Sequence, residues 1–184
     1  MEAKADLEDS LITKEMRDCI GLRGPRMELP EEISASDIRR FVQATGETNR
    51  LWTDEAFARS YGYRTRVVPP MMVIELWRRI DDPEAGHMAD PRSAIPLPDG
   101  YKVTRNAGSE IEWVEPVYLG DRLSVQERIT DIKARQGRAG VGIYITRETE
   151  IRNQDDIVVV RKRQTTAKFP ESRARRDSAE KGNR

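Results

Sequence analysis

The chain has 184 residues, room for one domain with a real hydrophobic core. Its 32 basic and 32 acidic side chains cancel, so charge gives no general reason to expect nucleic acid or an anionic membrane as partner. A single cysteine, Cys19, and a single histidine, His87, exclude an internal disulfide, a Cys-x-x-Cys motif and a two-histidine metal cluster. Such sparing cysteine use fits a reducing, cytoplasmic setting. The longest apolar stretch, 67–76, is roughly half a bilayer span and contains Pro69, Pro70 and Glu75. The first ten residues are polar with no apolar run behind them, so no export signal is expected.

Residues 1–12 read as a flexible lead. A short helix is predicted over 13–20, with Thr13 as N-cap and Gly21 as terminator. Residues 27–33 read as extended. Ser34 opens a clearer helix: its hydroxyl can cap, and Asp37 three residues on completes a capping-box pattern. Ile38, Phe41 and Val42 form one apolar stripe, and Gly46 supplies the left-handed stop. Thr53 is expected to cap a second short helix over 54–61, closed by Gly62. Residues 67–80 read as a buried helix whose first turn holds Pro69 and Pro70, where missing N–H groups cost little. A proline-rich loop follows over 81–100.

From Tyr101 the period changes from 3.6 to 2. Ile111, Trp113 and Val117 alternate with polar neighbours, as do Leu123, Val125 and Ile129, and then Val141, Ile143, Ile145 and Ile151. Residues 157–169 make a fourth strand. Turn signals at Gly120-Asp121, Gln136-Gly137 and Asn153-Gln154 set hairpin spacing, so an antiparallel sheet is predicted. One face of that sheet needs an apolar cover, and 71–80 is the only segment apolar enough. The fold class is therefore α+β: a sheet wrapped around one central helix, the shape called a hot dog. The domain is placed at 13–169, with a disordered tail over 170–184. The basic run Arg161-Lys162-Arg163 and the tail arginines read as a solvated strand face and a soluble tail rather than a nucleic-acid patch.

The stretch 41–58 carries more. Phe41, Thr45, Gly46, Glu47, Asn49, Arg50, Leu51, Trp52 and Ala58 fall in the register of an aromatic, a small residue, G-D-x-N-P-aliphatic-H and a later Ala or Ser. This resembles the MaoC-like dehydratases and R-specific enoyl-CoA hydratases, which are hot-dog proteins. Tyr61-Gly62-Tyr63, Val67-Val68-Pro69-Pro70, Trp113, Glu115-Pro116-Val117 and Gly120-Asp121-Arg122-Leu123 extend the resemblance over about 13–169. It is closest to the N-terminal, or partner-subunit, branch of the family.

The resemblance implies that the motif Asp and His hold and activate the water added across an enoyl thioester, one accepting a proton while the other donates. Here the Asp position is Glu47, which keeps a carboxylate, and the His position is Trp52, whose indole donates but cannot accept a proton. A glycine N–H at the start of the central helix serves the family as oxyanion donor; the matching residue here is Pro70, which has none. Two catalytic elements are thus replaced for separate chemical reasons.

The expected function is therefore a subunit of an enoyl-thioester hydratase or 3-hydroxyacyl-thioester dehydratase of fatty-acid metabolism, active only with a catalytic partner. Glu47 and Asn49 are the candidate catalytic residues of a degenerate motif. Trp52, Pro70, Met71, Met72 and Trp77 are candidates to line an acyl channel, with plain core packing as the alternative. The substrate would be a thioester of CoA or of an acyl carrier, with no metal or redox cofactor. The partner would be a MaoC-like chain with an intact Asp/His motif, in a heterodimer or heterotetramer; otherwise the chain would form a homodimer. Two other readings stay open: a self-sufficient thioesterase using Glu47, and a non-enzymatic acyl-CoA-binding homodimer.

Overall fold

The computed structural model describes residues 10–76, 95–137 and 140–171. Its elements in chain order are α1 (Lys14–Asp18), β1 (Met27–Glu28), α2 (Ala35–Thr45), a 3-10 turn (Arg50–Trp52), α3 (Glu55–Ser60), α4 (Pro70–Leu76), β2 (Val103–Trp113), β3 (Ser124–Gly137), β4 (Gly140–Arg152) and β5 (Val158–Phe169). Trp77, His87, most of the lead and most of the tail lie outside the described residues.

The strands form one antiparallel sheet in the order β1-β3-β4-β5-β2. The hairpins fix its centre: β3 pairs with β4 from Ser124 opposite Arg152 to Gly137 opposite Gly140, and β4 pairs with β5. β2 returns antiparallel to β5 and is the last strand on that side. The hot-dog arrangement follows from the sequence's change of period, and it is the fold found.

Alternation alone misses one feature. In β3 the buried apolar residues are Val125 and Ile129, then Ile132 and Ala134, so the phase slips by one. The register shifts between Ile129, opposite Arg147, and Asp131, opposite Thr146. Thr130 is the extra residue of this bulge, and its Oγ1 donates to the Thr146 carbonyl at 3.2 Å. The bulge lets Ile132 and Ala134 rejoin the face already occupied by Ile129.

That face is covered by two apolar clusters rather than one. In the first, α4 packs Met72, Val73, Ile74 and Leu76 against Val125, Ile151, Val159 and Val160, with Ile38 from α2 alongside. Burying four such side chains contributes about 1.5–3 kcal/mol each. In the second, Ile12, Met16 and Cys19 meet Ile129, Ile132, Ile143 and Ile145, joined by Ile95. Met16 is wholly enclosed and Ile12 is only 5% exposed, so ordered packing begins before residue 13. The i, i+4, i+7 spacing of Ile12, Met16 and Cys19 was the available signal for this second cover.

The helix ends follow their sequence cues. Thr13 Oγ1 accepts from Met16 N, and Ser34 and Asp37 form a reciprocal capping box. Gly46 adopts φ 71° and its N–H donates to the Val42 carbonyl. The third cap differs from expectation. Asp54, not Thr53, caps α3, its Oδ1 accepting from Phe57 N at 3.0 Å. A carboxylate satisfies the free amides and the positive end of the helix together. The expected extended segment 27–33 contributes only Met27 and Glu28 to the sheet, opposite Val125 and Ser124.

Candidate functional site

Gly46 ends α2 and turns the chain back, so Glu47 emerges beside the helix C-terminus, where its N–H also donates to the Val42 carbonyl. A carboxylate is poorly placed there, because the helix end is already partly negative. It is stabilised by Trp52, whose indole Nε1 donates to Glu47 Oε2 at 3.4 Å. The two positions that correspond to the motif acid and histidine therefore face each other. The indole supplies a hydrogen-bond donor and no base.

Asn49 stands between them. Its Oδ1 accepts from Leu51 N at 3.0 Å and caps the 3-10 turn that carries Trp52. Its task is to hold the turn. Arg50 closes the same loop: it donates to Asp54 at 2.6 Å and lies over the Phe57 ring at 4.4 Å. That guanidinium, with the Phe57 amide, holds the Asp54 carboxyl below the usual carboxylate range.

The second wall is the start of α4. Val67 N donates to the Leu51 carbonyl and Val68 N to the Val117 carbonyl, which delivers Pro69 into the core and Pro70 to the first helical position. Pro70 is exposed and offers no N–H at that point. Met72 is buried in the first cluster, against which Trp52 packs half-buried, whereas Met71 is 53% exposed. Of the candidate channel residues, Trp52 and Met72 thus belong to the same apolar cluster, Met71 and Pro70 face solvent, and Trp77 lies outside the described residues.

Asp121 was not among the sequence-derived site residues, yet it is the most enclosed carboxylate near this loop, 1% exposed. Arg64 and Gln154 donate to its Oδ1, and Tyr118 N to its Oδ2. The signal was its place in Gly120-Asp121-Arg122-Leu123, read as a turn and as part of the family resemblance but given no role at the site. Burial pushes the neighbouring Tyr118 hydroxyl up from its ordinary pKa, against the pull of Arg64. A separate shallow recess on β3 and β4 is lined by Arg23, Gln126, Glu127, Arg128, Glu148 and Glu150, and Arg128 and Glu148 pair within it at 2.6 Å. Among the described residues, no group of three or more His, Cys, Asp or Glu side chains is placed to hold a metal ion. Nor is any described helix long and apolar enough to cross a membrane.

Comparison with known proteins agrees with the fold. The model of the FAS1-like dehydratase domain region matches residues 21–162. A probable enoyl-CoA hydratase alpha subunit of Thermomonospora curvata is 31% identical over 147 residues, which are 76% of this chain and 46% of that protein. The chain thus spans about half the length of that relative. Among solved structures, the ChsH1-ChsH2 complex from Mycobacterium tuberculosis superposes with a TM-score of 0.77 at 22% identity, covering 88% of this chain and 93% of that one. A MaoC-like dehydratase from Rhodospirillum rubrum superposes with a TM-score of 0.59 at 19% identity, covering 83% and 93%. With its five-stranded sheet around α4 and its match over most of its length, the chain belongs to the FAS1-like dehydratase family, among the MaoC-like hot-dog proteins.

Proposed function

We propose that this chain is the non-catalytic half of an enoyl-thioester hydratase or 3-hydroxyacyl-thioester dehydratase. The observation that carries the reading is the Trp52–Glu47 hydrogen bond in place of an imidazole–carboxylate pair. Pro70 at the first position of α4 removes the matching amide donor as well. General acid–base chemistry contributes roughly 10²–10⁴ in rate, and one oxyanion donor roughly 10²–10³. A chain lacking both falls below a useful rate on its own. The relative named as an alpha subunit and the two-chain ChsH1-ChsH2 structure support a partner of similar fold.

In this reading the partner supplies the Asp/His motif, and this chain supplies Trp52 and Met72 as apolar wall for the acyl group. The partner adds to the sheet beyond β2, whose outer edge is unpaired among the described residues and whose side chains are mostly exposed. The substrate is a thioester of CoA or of a carrier protein, and the residues named require no metal or redox cofactor.

The test is reconstitution. Co-expression with a MaoC-like chain bearing G-D-x-N-P-x-H is expected to yield a complex that hydrates trans-2-enoyl-CoA. Glu47→Gln in this chain should leave kcat within about twofold, since Glu47 is not the working base. A loss of kcat of a hundredfold or more in Glu47→Gln would place the chemistry in this chain and overturn the reading.

A further inference from the structure

Four separate segments meet at Asp121. Its carboxylate accepts from Arg64 in the stretch after α3, from Gln154 in the β4–β5 turn and from the Tyr118 amide. Its own carbonyl accepts from Ile33 N at 3.0 Å, immediately before the Ser34 cap of α2. Arg64 also lies 4.3 Å over the Tyr118 ring. These contacts clamp residues 63–66 against 118–121. The next residues are joined as a short ladder, Leu119 N to the Arg66 carbonyl and Val68 N to the Val117 carbonyl. The same ladder meets both halves of the site. Val67 N donates to the Leu51 carbonyl, one residue from Trp52, and Val68 leads through Pro69 to Pro70.

We propose that Asp121 and Arg64 are a positioning pair, which through the 66–68 ladder sets where Trp52 and Pro70 stand. The inference rests on the reading of Trp52 and Pro70 as the wall of a substrate channel, because that reading gives the placement a function. The chemistry of the pair suits a fixed clamp. The buried carboxylate spends its two oxygens on three donors, and only a carboxylate can accept from all of them in that geometry. Arg64 is 53% exposed, so its guanidinium reaches in from the rim and can be removed without opening the core. Asp121→Asn turns one acceptor into a donor facing Arg64 and Gln154 or the Tyr118 amide. Arg64→Ala removes the clamp from the other side. Arg64→Lys keeps the charge on a flexible stem.

The experiment uses the full chain with Trp77→Phe and Trp113→Phe, leaving Trp52 as the sole tryptophan. Acrylamide quenching and the emission maximum then report its surroundings. Arg64→Ala and Asp121→Asn are each expected to raise the quenching constant about twofold and shift emission to the red, as a loosened segment exposes the indole. Arg64→Lys should recover most of the parent signal. Arg59→Ala, which breaks only the surface pair with Glu55, should leave it unchanged. Parent-like quenching and emission in Arg64→Ala would overturn the proposal, and that variant decides the matter even if Asp121→Asn fails to fold. The readout needs neither partner nor substrate. Failure of the partner-subunit reading in a kinetic assay would therefore leave this result standing, and failure here would leave that reading untouched.

Discussion

Gly142 sits in β4 on the outer face of the sheet, where a Cβ built on its backbone would lie 2.4 Å from Phe169 Cε1, 2.9 Å from Cζ and 3.0 Å from Cδ1. Ordinary contacts of that kind begin near 3.4 Å, so Gly142→Ala requires the ring to move by about 1 Å. The ring has little freedom. Phe169 is 7% exposed, ends β5, and meets Tyr144 edge-on with centroids 6.3 Å apart. Overpacking of this kind costs about 1–3 kcal/mol. A value of about 2 kcal/mol lowers the melting temperature by about 4–8 °C in a domain of this size. Thermal unfolding followed by circular dichroism is the assay. Phe169→Leu in the Gly142→Ala background should recover at least about 1 kcal/mol relative to the sum of the single changes, as contacting residues do in a double-mutant cycle. A parent-like melting temperature for Gly142→Ala, or strict additivity of the pair, would refute the placement of the β4 and β5 ends.

Other outcomes follow from particular contacts. Met72→Ala removes a buried core side chain from α4 and should cost about 2–5 kcal/mol in chemical unfolding, whereas Met71→Ala, on the exposed side, should stay within about 0.5 kcal/mol. Ser34→Ala breaks the capping box of α2 and should cost about 1 kcal/mol by the same measurement. The Arg152 guanidinium donates to Glu150 at 2.8 Å and, more than any other cause, holds its carboxyl below the ordinary value. A lowered folded-state pKa stabilises the fold above the unfolded pKa of about 4.3, and that stability is lost as pH falls through the folded value. The stability gap between parent and Glu150→Gln should thus be full at pH 6–7 and shrink below about pH 4; a gap that grows on acidification would contradict the pairing. Glu110→Lys on the exposed edge strand should weaken assembly with a partner chain in pull-down, with little change in the melting temperature of the isolated chain.

What the sequence revealed depended on whether the responsible interactions were local. The capping box at Ser34 and Asp37, the left-handed stop at Gly46 and the hairpin periods depend on residues a few places apart, and all are present as read. The bulge at Thr130 was hidden, because a slip in phase is set by the β4 register and not by β3 alone. The second apolar cover was missed since Ile12 fell in what looked like a loose lead, Met16 and Cys19 sat in a short helix given no face to cover, and their partners lie more than 100 residues away in β3 and β4. At the site, Glu47 and Trp52 were read as the acid and histidine positions of the motif, and the 3.4 Å hydrogen bond between them is a contact the sequence reading did not state. The role of Asn49 as a cap needed the backbone of Leu51 to be placed. Asp121 was not singled out, because two of the three donors that converge on it, Arg64 and Gln154, come from segments far from it in the chain, and only the Tyr118 amide is local.

The proposed function requires that this chain, as a hydratase subunit, lack a working acid–base pair of its own. The direct measurement is the loss of enoyl-thioester absorbance with the purified chain alone, over short to long trans-2-enoyl-CoA substrates, once cooperative unfolding has shown the protein folded. The account predicts no hydration above the uncatalysed rate, and hydration once a chain with the intact Asp/His motif is added. Robust turnover by the chain alone, abolished by Glu47→Gln, would contradict it.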